Sequence, residues 1–142
     1  MTDYDIDYYA WTNEQAQLLR AGQLQNADLE NIIEELETMG RSEKRALESR
    51  LIVLLTHLLK WQYQPVRRGK SWELTIKGQR ANCVDVLDDN PSLKSKLDEL
   101  FARSYSRAKI EAAKETGLDE DHFPEQCPYT MAQLFDDCFY PD

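Results

Sequence analysis

The stretch LESRLIVLLTHLLKW, residues 47–61, decides the fold. Its leucines recur at intervals of three and four residues and form one stripe, made of Leu47, Leu51, Leu54, Leu55 and Leu58. Ile52, Val53 and Leu59 add apolar surface on the other sides. A helix that is apolar nearly all round is a buried one, so these residues predict the centre of a helical bundle.

Upstream of this segment, the pattern predicts two shorter helices. Thr12 has the spacing of an N-cap, and Gly22 is predicted to end the helix that follows. A second helix is predicted from about residues 26–28 to Gly40, with Ser42 then capping the central helix. Pro65 is the predicted end of that central helix.

Downstream, two long helices and one short helix are predicted. The first begins at Ser71 and stops at Asn90-Pro91, where the second begins and runs to Gly117. The capping-box spacing of Thr130 and Gln133 predicts a short last helix. No stretch favours a strand. The predicted fold is therefore all-α: an antiparallel helical bundle of about five main helices with a short C-terminal helix, in one domain of residues 1–142.

Composition excludes several classes of function. The net charge of −9 argues against general nucleic-acid binding and against binding to an anionic membrane surface. The first seven residues do not form a signal peptide, and no apolar run is long enough to span a bilayer. The three cysteines have no disulfide-framework spacing, so we expect a cytoplasmic protein.

Aromatic side chains concentrate near the two ends of the chain. They are Tyr4, Tyr8, Tyr9 and Trp11 at the start, and Tyr129, Phe135, Phe139 and Tyr140 in the tail. We expect both groups to cover the bundle. The alternative is that they form an exposed aromatic interface.

One segment has the opposite charge to the rest of the chain. Residues 60–80, here called the basic segment, carry Glu73 as their one acid and six cations: Lys60, Arg67, Arg68, Lys70, Lys77 and Arg80. This segment abuts a predicted helix N-terminus, which favours anions. The predicted anion site consists of Arg67, Arg68, Lys70 and Ser71, with Trp61 and Trp72 as walls. The alternative is that these cations pair with acidic helices of the same domain.

Two weaker patterns point to phosphate or metal chemistry. Gly69-Lys70-Ser71 resembles the end of a P-loop, but the required earlier glycine and preceding strand are absent. His57 could bind a metal together with glutamates of the preceding helix, of which Glu34 and Glu37 are the best placed and Glu30 is a third. A hydrogen-bonded, partly buried histidine is the favoured interpretation.

A third weak pattern concerns nucleophilic catalysis. Cys127 is a candidate nucleophile because His122 is near it in sequence and could act as its base. Such chemistry also needs an oxyanion site, and none is evident in this stretch. A catalytic cysteine is therefore the less favoured interpretation.

Several stretches together resemble one bacterial family. They are LLKWQYQP at 58–65 with Arg68 and Ser71-Trp72, residues 4–21, residues 28–42, and Phe123-Pro124 with residues 127–130. The family is the domain of unknown function numbered twenty-nine. The resemblance implies an all-helical fold, and it assigns no activity, cofactor or catalytic residue.

The leading hypothesis is a non-enzymatic module that binds another protein or a small anionic ligand, without a cofactor. One alternative is a metal-dependent enzyme built in a helical bundle. The other is a regulatory partner, such as one half of a toxin–antitoxin-like pair.

Overall fold

Five α-helices and no strand make up the computed structural model, which describes all residues from Met1 to Asp142. The helices are α1 (Tyr8–Arg20), α2 (Leu29–Tyr63), α3 (Lys70–Asp89), α4 (Leu97–Thr116) and α5 (Met131–Leu134). Short 3₁₀ turns lie at Leu24–Asn26, Pro65–Arg67, Pro91–Lys96 and Glu120–His122. The all-α class and the short C-terminal helix are confirmed. No helix is both long and apolar enough to cross a membrane.

Backbone contacts divide the chain into two compact units, Met1–Ser42 and Glu43–Asp142. The first unit contains α1 and the beginning of α2, and the second contains the rest of α2 and all later elements. That residues 1–142 form a single domain stays a prediction.

In the second unit, the leucine stripe of α2 is the centre of the core, as predicted. Leu47, Leu51, Leu54, Leu55 and Leu58 have no exposed surface. Helix α3 contributes Ile76, Cys83 and Leu87, and α4 contributes Leu100, Tyr105, Ala108 and Ala112. The tail closes this core with Phe123, Tyr129 and Leu134. The predicted covering role of the tail aromatics is therefore confirmed for Tyr129, while Phe135, Phe139 and Tyr140 are partly buried beside it.

Side-chain contacts give the directions of these three helices. Asn90 at the end of α3 donates to Glu43 at 3.0 Å, whereas the Lys60 ammonium lies 4.8 Å from the centre of the Trp72 ring near the start of α3. Helix α3 is therefore antiparallel to α2. Helix α4 returns in the direction of α2, since Arg103 lies 3.6 Å from Glu48 while Glu115 lies 2.8 Å from Lys60.

The predicted helix break at Gly40 is wrong. Helix α2 runs through Gly40 and Ser42 without interruption for 35 residues. Gly40 does not have a positive φ, and a glycine inside a helix costs only about 1 kcal/mol. That cost is small, and the chain continues through Gly40 as one helix.

The start of α1 also differs from the prediction. Asp7, not Thr12, is the N-cap, and its carboxylate accepts from the Ala10 N–H at 3.0 Å. Thr12 lies inside the helix and its hydroxyl donates to the Tyr9 carbonyl. Two other terminal predictions hold, because Gly117 ends α4 with φ +77° and Thr130 and Gln133 form a reciprocal capping box.

Candidate functional site: the basic segment, a histidine groove and an exposed apolar face

Arg68 binds backbone oxygens of Pro141 and Asp142. Its Nε donates to the Trp61 carbonyl at 2.6 Å, and one terminal nitrogen donates to the carbonyls of Pro141 and Asp142 at 3.3 and 3.0 Å. The guanidinium also lies 5.4 Å from the centre of the Trp61 ring. The Arg68 guanidinium, which was predicted to contact an anion, is therefore already bonded to three backbone oxygens and packed on the Trp61 ring.

Arg80 is buried, with 1% of its surface exposed. Its Nε donates to the Leu134 carbonyl at 2.8 Å, and Nη2 donates to the Phe139 carbonyl at 2.7 Å. Tyr140 covers it with a ring whose centre is 5.5 Å from the guanidinium carbon. Burial lowers the pKa of Arg80, while the charges of Asp136 and Asp137 oppose this effect. The sequence did not indicate this role, since its acceptors are carbonyls of the distant tail.

The other residues of the predicted anion site fall into two groups: two tryptophans that pack against other side chains of the protein, and three residues that are exposed. Trp61 packs on Tyr140 with ring centres 4.9 Å apart, and Trp72 lies under Lys60, which also pairs with Glu115. Arg67, Lys70 and Ser71 are exposed. They surround the start of α3, where no side chain caps the N-terminal N–H groups. The structure brings only these three to an open surface.

His57 lines a groove between α2 and α4. The groove has a volume of about 320 Å³. Its apolar wall is formed by Ile52, Val53 and Ile110, and Thr56 lies beside them with its hydroxyl bonded to the Ile52 carbonyl. Its charged wall is formed by Arg107, Glu111 and Glu115. The Nδ1 atom of His57 lies 2.9 Å from the Val53 carbonyl, so Nδ1 carries the proton and Nε2 is a free acceptor when the ring is neutral. Burial lowers the pKa of His57, and the charge of Lys60 adds to that shift. This is the hydrogen-bonded histidine that the sequence favoured.

The structure does not bring the weak metal candidates together. Glu34, Glu37 and His57 all lie on α2, and about 30 Å of helix separates Glu37 from His57 at 1.5 Å per residue. No group of three or more His, Cys, Asp and Glu side chains is arranged to hold a metal ion.

The cysteines are poor candidates for nucleophiles. Burial raises the pKa of Cys127 to about 11 and that of Cys83 to about 12. Because the thiolate is the reactive form, both side chains are protonated and unreactive near neutral pH. None of the three cysteines forms a disulfide.

In the first unit, the aromatic residues form a cluster around one carboxylate. Tyr4 and Tyr8 both donate to Glu35, the latter at 2.6 Å, and these bonds lower the pKa of Glu35. The same carboxylate raises the pKa of Tyr4 to about 12. Trp11 is buried against this cluster, with its ring centre 4.7 Å from that of Tyr4. The cluster fixes α1 against the beginning of α2.

The beginning of α2 carries an exposed apolar face. At 3.6 residues per turn, Leu29, Ile33, Leu36 and Gly40 lie on the same side of the helix as the buried leucines that follow, with Met39 beside them. The four large side chains of this set are 45–62% exposed. The name "apolar face" is used below for these five residues. The face could have been found from the sequence, because Leu29, Ile33 and Leu36 recur at intervals of four and three residues, as the buried leucines do.

The family profile described as "Domain of unknown function DUF29" matches residues 4–140. The chain therefore belongs to the DUF29 family, an all-helical group without an assigned function. No curated protein and no solved structure matches the chain.

Proposed function

We propose that this chain is a non-enzymatic protein-interaction module that binds through the apolar face of α2. One observation carries the proposal: the leucines of α2 are fully buried from Leu47 to Leu58, whereas the large apolar side chains from Leu29 to Met39 are about half exposed. Apolar side chains in contact with water cost about 25 cal/mol per Å², so a helical partner that covers them gains free energy.

The surroundings of the face support binding rather than chemistry. The buried cysteines are protonated, the histidine lies in a different unit, and the tyrosines of the first unit bind Glu35. Helix-in-groove and helix-on-helix recognition use anchors at intervals of three and four residues, which is the spacing of Leu29, Ile33 and Leu36. As part of the same proposal, we place the module in the bacterial cytoplasm, where three unpaired cysteines remain reduced.

A charge on the apolar face tests this proposal. A tagged chain is co-expressed with an untagged wild-type copy, so that either a second copy or another protein can be recovered; the tagged chain is wild type, Leu36→Glu or Leu74→Glu, a control on α3 of similar exposure. A protein recovered in fixed ratio with wild type and Leu74→Glu, but absent with Leu36→Glu, is the expected result. Equal recovery with all three, or with none, contradicts the proposal.

A small anion bound at the start of α3 is the second candidate function. Arg67, Lys70 and Ser71 are exposed around an uncapped helix N-terminus and none of them has an acidic partner. Such a terminus attracts anions through its free N–H groups and its dipole. Arg68 is left out of this site, because its donors are already bonded to the tail carbonyls.

Thermal unfolding with inorganic phosphate tests this second candidate. Phosphate is expected to raise the Tm of the wild type and not that of Arg67→Glu, Lys70→Glu, which leaves Arg68 and the tail intact. An anion at one hundred times its dissociation constant stabilises by about 2.7 kcal/mol. An equal rise of Tm in the wild type and in the double variant would contradict an anion site at the start of α3.

A further inference from the structure

We infer that the partner of the apolar face is the same face of a second copy of this chain, paired antiparallel along α2. This inference rests on the proposed function, since it names the occupant of the same surface. It is drawn from the order of charges beside the face and from Gly40.

The charges that flank the face change sign along the helix. On one flank, three acids are followed by three cations, in the order Glu30, Glu34, Glu37, Arg41, Lys44, Arg45. In an antiparallel pair related by a two-fold axis, the same flank of each helix lies beside that of its partner with the direction reversed. When Glu34 of one copy lies beside Arg41 of the other, Glu30 also faces Arg45, while Glu37 lies near the two-fold axis and 3.8 Å from Arg41 of its own helix.

The centre of this pairing agrees with the apolar residues. A register that sets Glu34 of one copy beside Arg41 of the other also sets Leu36 of one copy close to Gly40 of the other. Both contacts occur twice because the interface is symmetric. A leucine opposite a glycine allows the two helices to approach closely, as small residues do at other helix–helix contacts.

Gly40 supports the same conclusion independently. It lies in the interior of a helix with ordinary φ, and a Cβ at this position would meet nothing within 4 Å. Within one copy, therefore, neither a turn nor a close contact requires glycine, although glycine weakens the helix by about 1 kcal/mol. The close approach of a second helix gives this glycine a role that the single chain does not.

Complementary charge reversals test the antiparallel pairing. The full chain is prepared as wild type, as Glu34→Lys and as Arg41→Glu, with Glu99→Lys on α4 as a control reversal. Sedimentation equilibrium should show the wild type and the control associating from 16.6 kDa to twice that mass. Each face variant alone repeats a like-charge contact at two symmetric places, so its dissociation constant should rise about tenfold.

The mixture of the two variants gives the decisive result. In a mixed pair, the lysine introduced by Glu34→Lys would face the glutamate introduced by Arg41→Glu, and the unchanged Arg41 and Glu34 would face each other. Equimolar mixing should therefore restore the wild-type dissociation constant. The inference is overturned if the wild type stays monomeric, or if the dissociation constant of the dimer is the same in both charge-reversal variants as in the wild type. A monomeric wild type that still loses a different co-purifying protein on Leu36→Glu leaves the proposed function standing and removes only the second copy.

Discussion

A buried arginine without a carboxylate partner, Arg80, joins α3 to the tail. Its guanidinium donates to the carbonyls of Leu134 and Phe139 and so holds this part of the tail against α3. Arg80→Ala would leave these carbonyls without a donor and open a cavity, so we expect a loss of about 2–5 kcal/mol. Urea unfolding measures this change. Arg67→Ala, the exposed control, should stay within about 0.5 kcal/mol; a similar small change for Arg80→Ala would contradict the assigned role.

The second prediction for a single residue concerns His57 and the dependence of stability on pH. Because burial lowers its pKa below 6.5, the folded state binds fewer protons there than the unfolded state. Stability therefore rises with pH up to about 6.5 and falls as the pH drops below that value. His57→Gln should flatten the stability curve just below about pH 6.5, measured by urea unfolding at several pH values. Glu35 and Asp28, whose pKa values are also lowered, act at lower pH and remain in the variant. An unchanged slope would mean that His57 is not desolvated.

At the scale of elements, two glycines should respond oppositely to the same substitution. Gly40 is inside α2 with space for a Cβ, whereas Gly117 ends α4 with φ +77°. In the Leu36→Glu background, which removes pairing, Gly40→Ala should stabilise by about 1 kcal/mol. Gly117→Ala should destabilise by about 1 kcal/mol, because alanine is strained at that φ. Thermal unfolding of the two variants compares them directly, and equal signs would show that α2 is interrupted at Gly40.

Helix ends that depend on local chemistry were predictable, and those that depend on distant packing were not. The Thr130–Gln133 box and the left-handed Gly117 are decided within a few residues, and both are confirmed. Gly40 is a residue type that commonly ends a helix, yet α2 continues through it without interruption. Asp7 replaces Thr12 as the N-cap because α1 begins one turn earlier, where Tyr8 reaches Glu35.

At the scale of the whole molecule, the core of the second unit followed from the leucine spacing, but the use of the basic segment did not. Arg68 and Arg80 bind carbonyls of residues more than fifty positions away, and sequence spacing does not indicate such partners. The exposed face was missed for another reason, since the helix break predicted at Gly40 placed its residues in a separate short helix.

The most direct test of the central claim is photocrosslinking from the apolar face in living cells. A benzophenone side chain replaces Ile33 in one chain and, as a control of matched exposure, Leu74 in another. We expect one discrete adduct from position 33, with twice the mass of the chain, and none from position 74. An adduct of another mass would name a different partner for the same face. No adduct from position 33, or the same adducts from both positions, would contradict the claim that this face is an interaction surface.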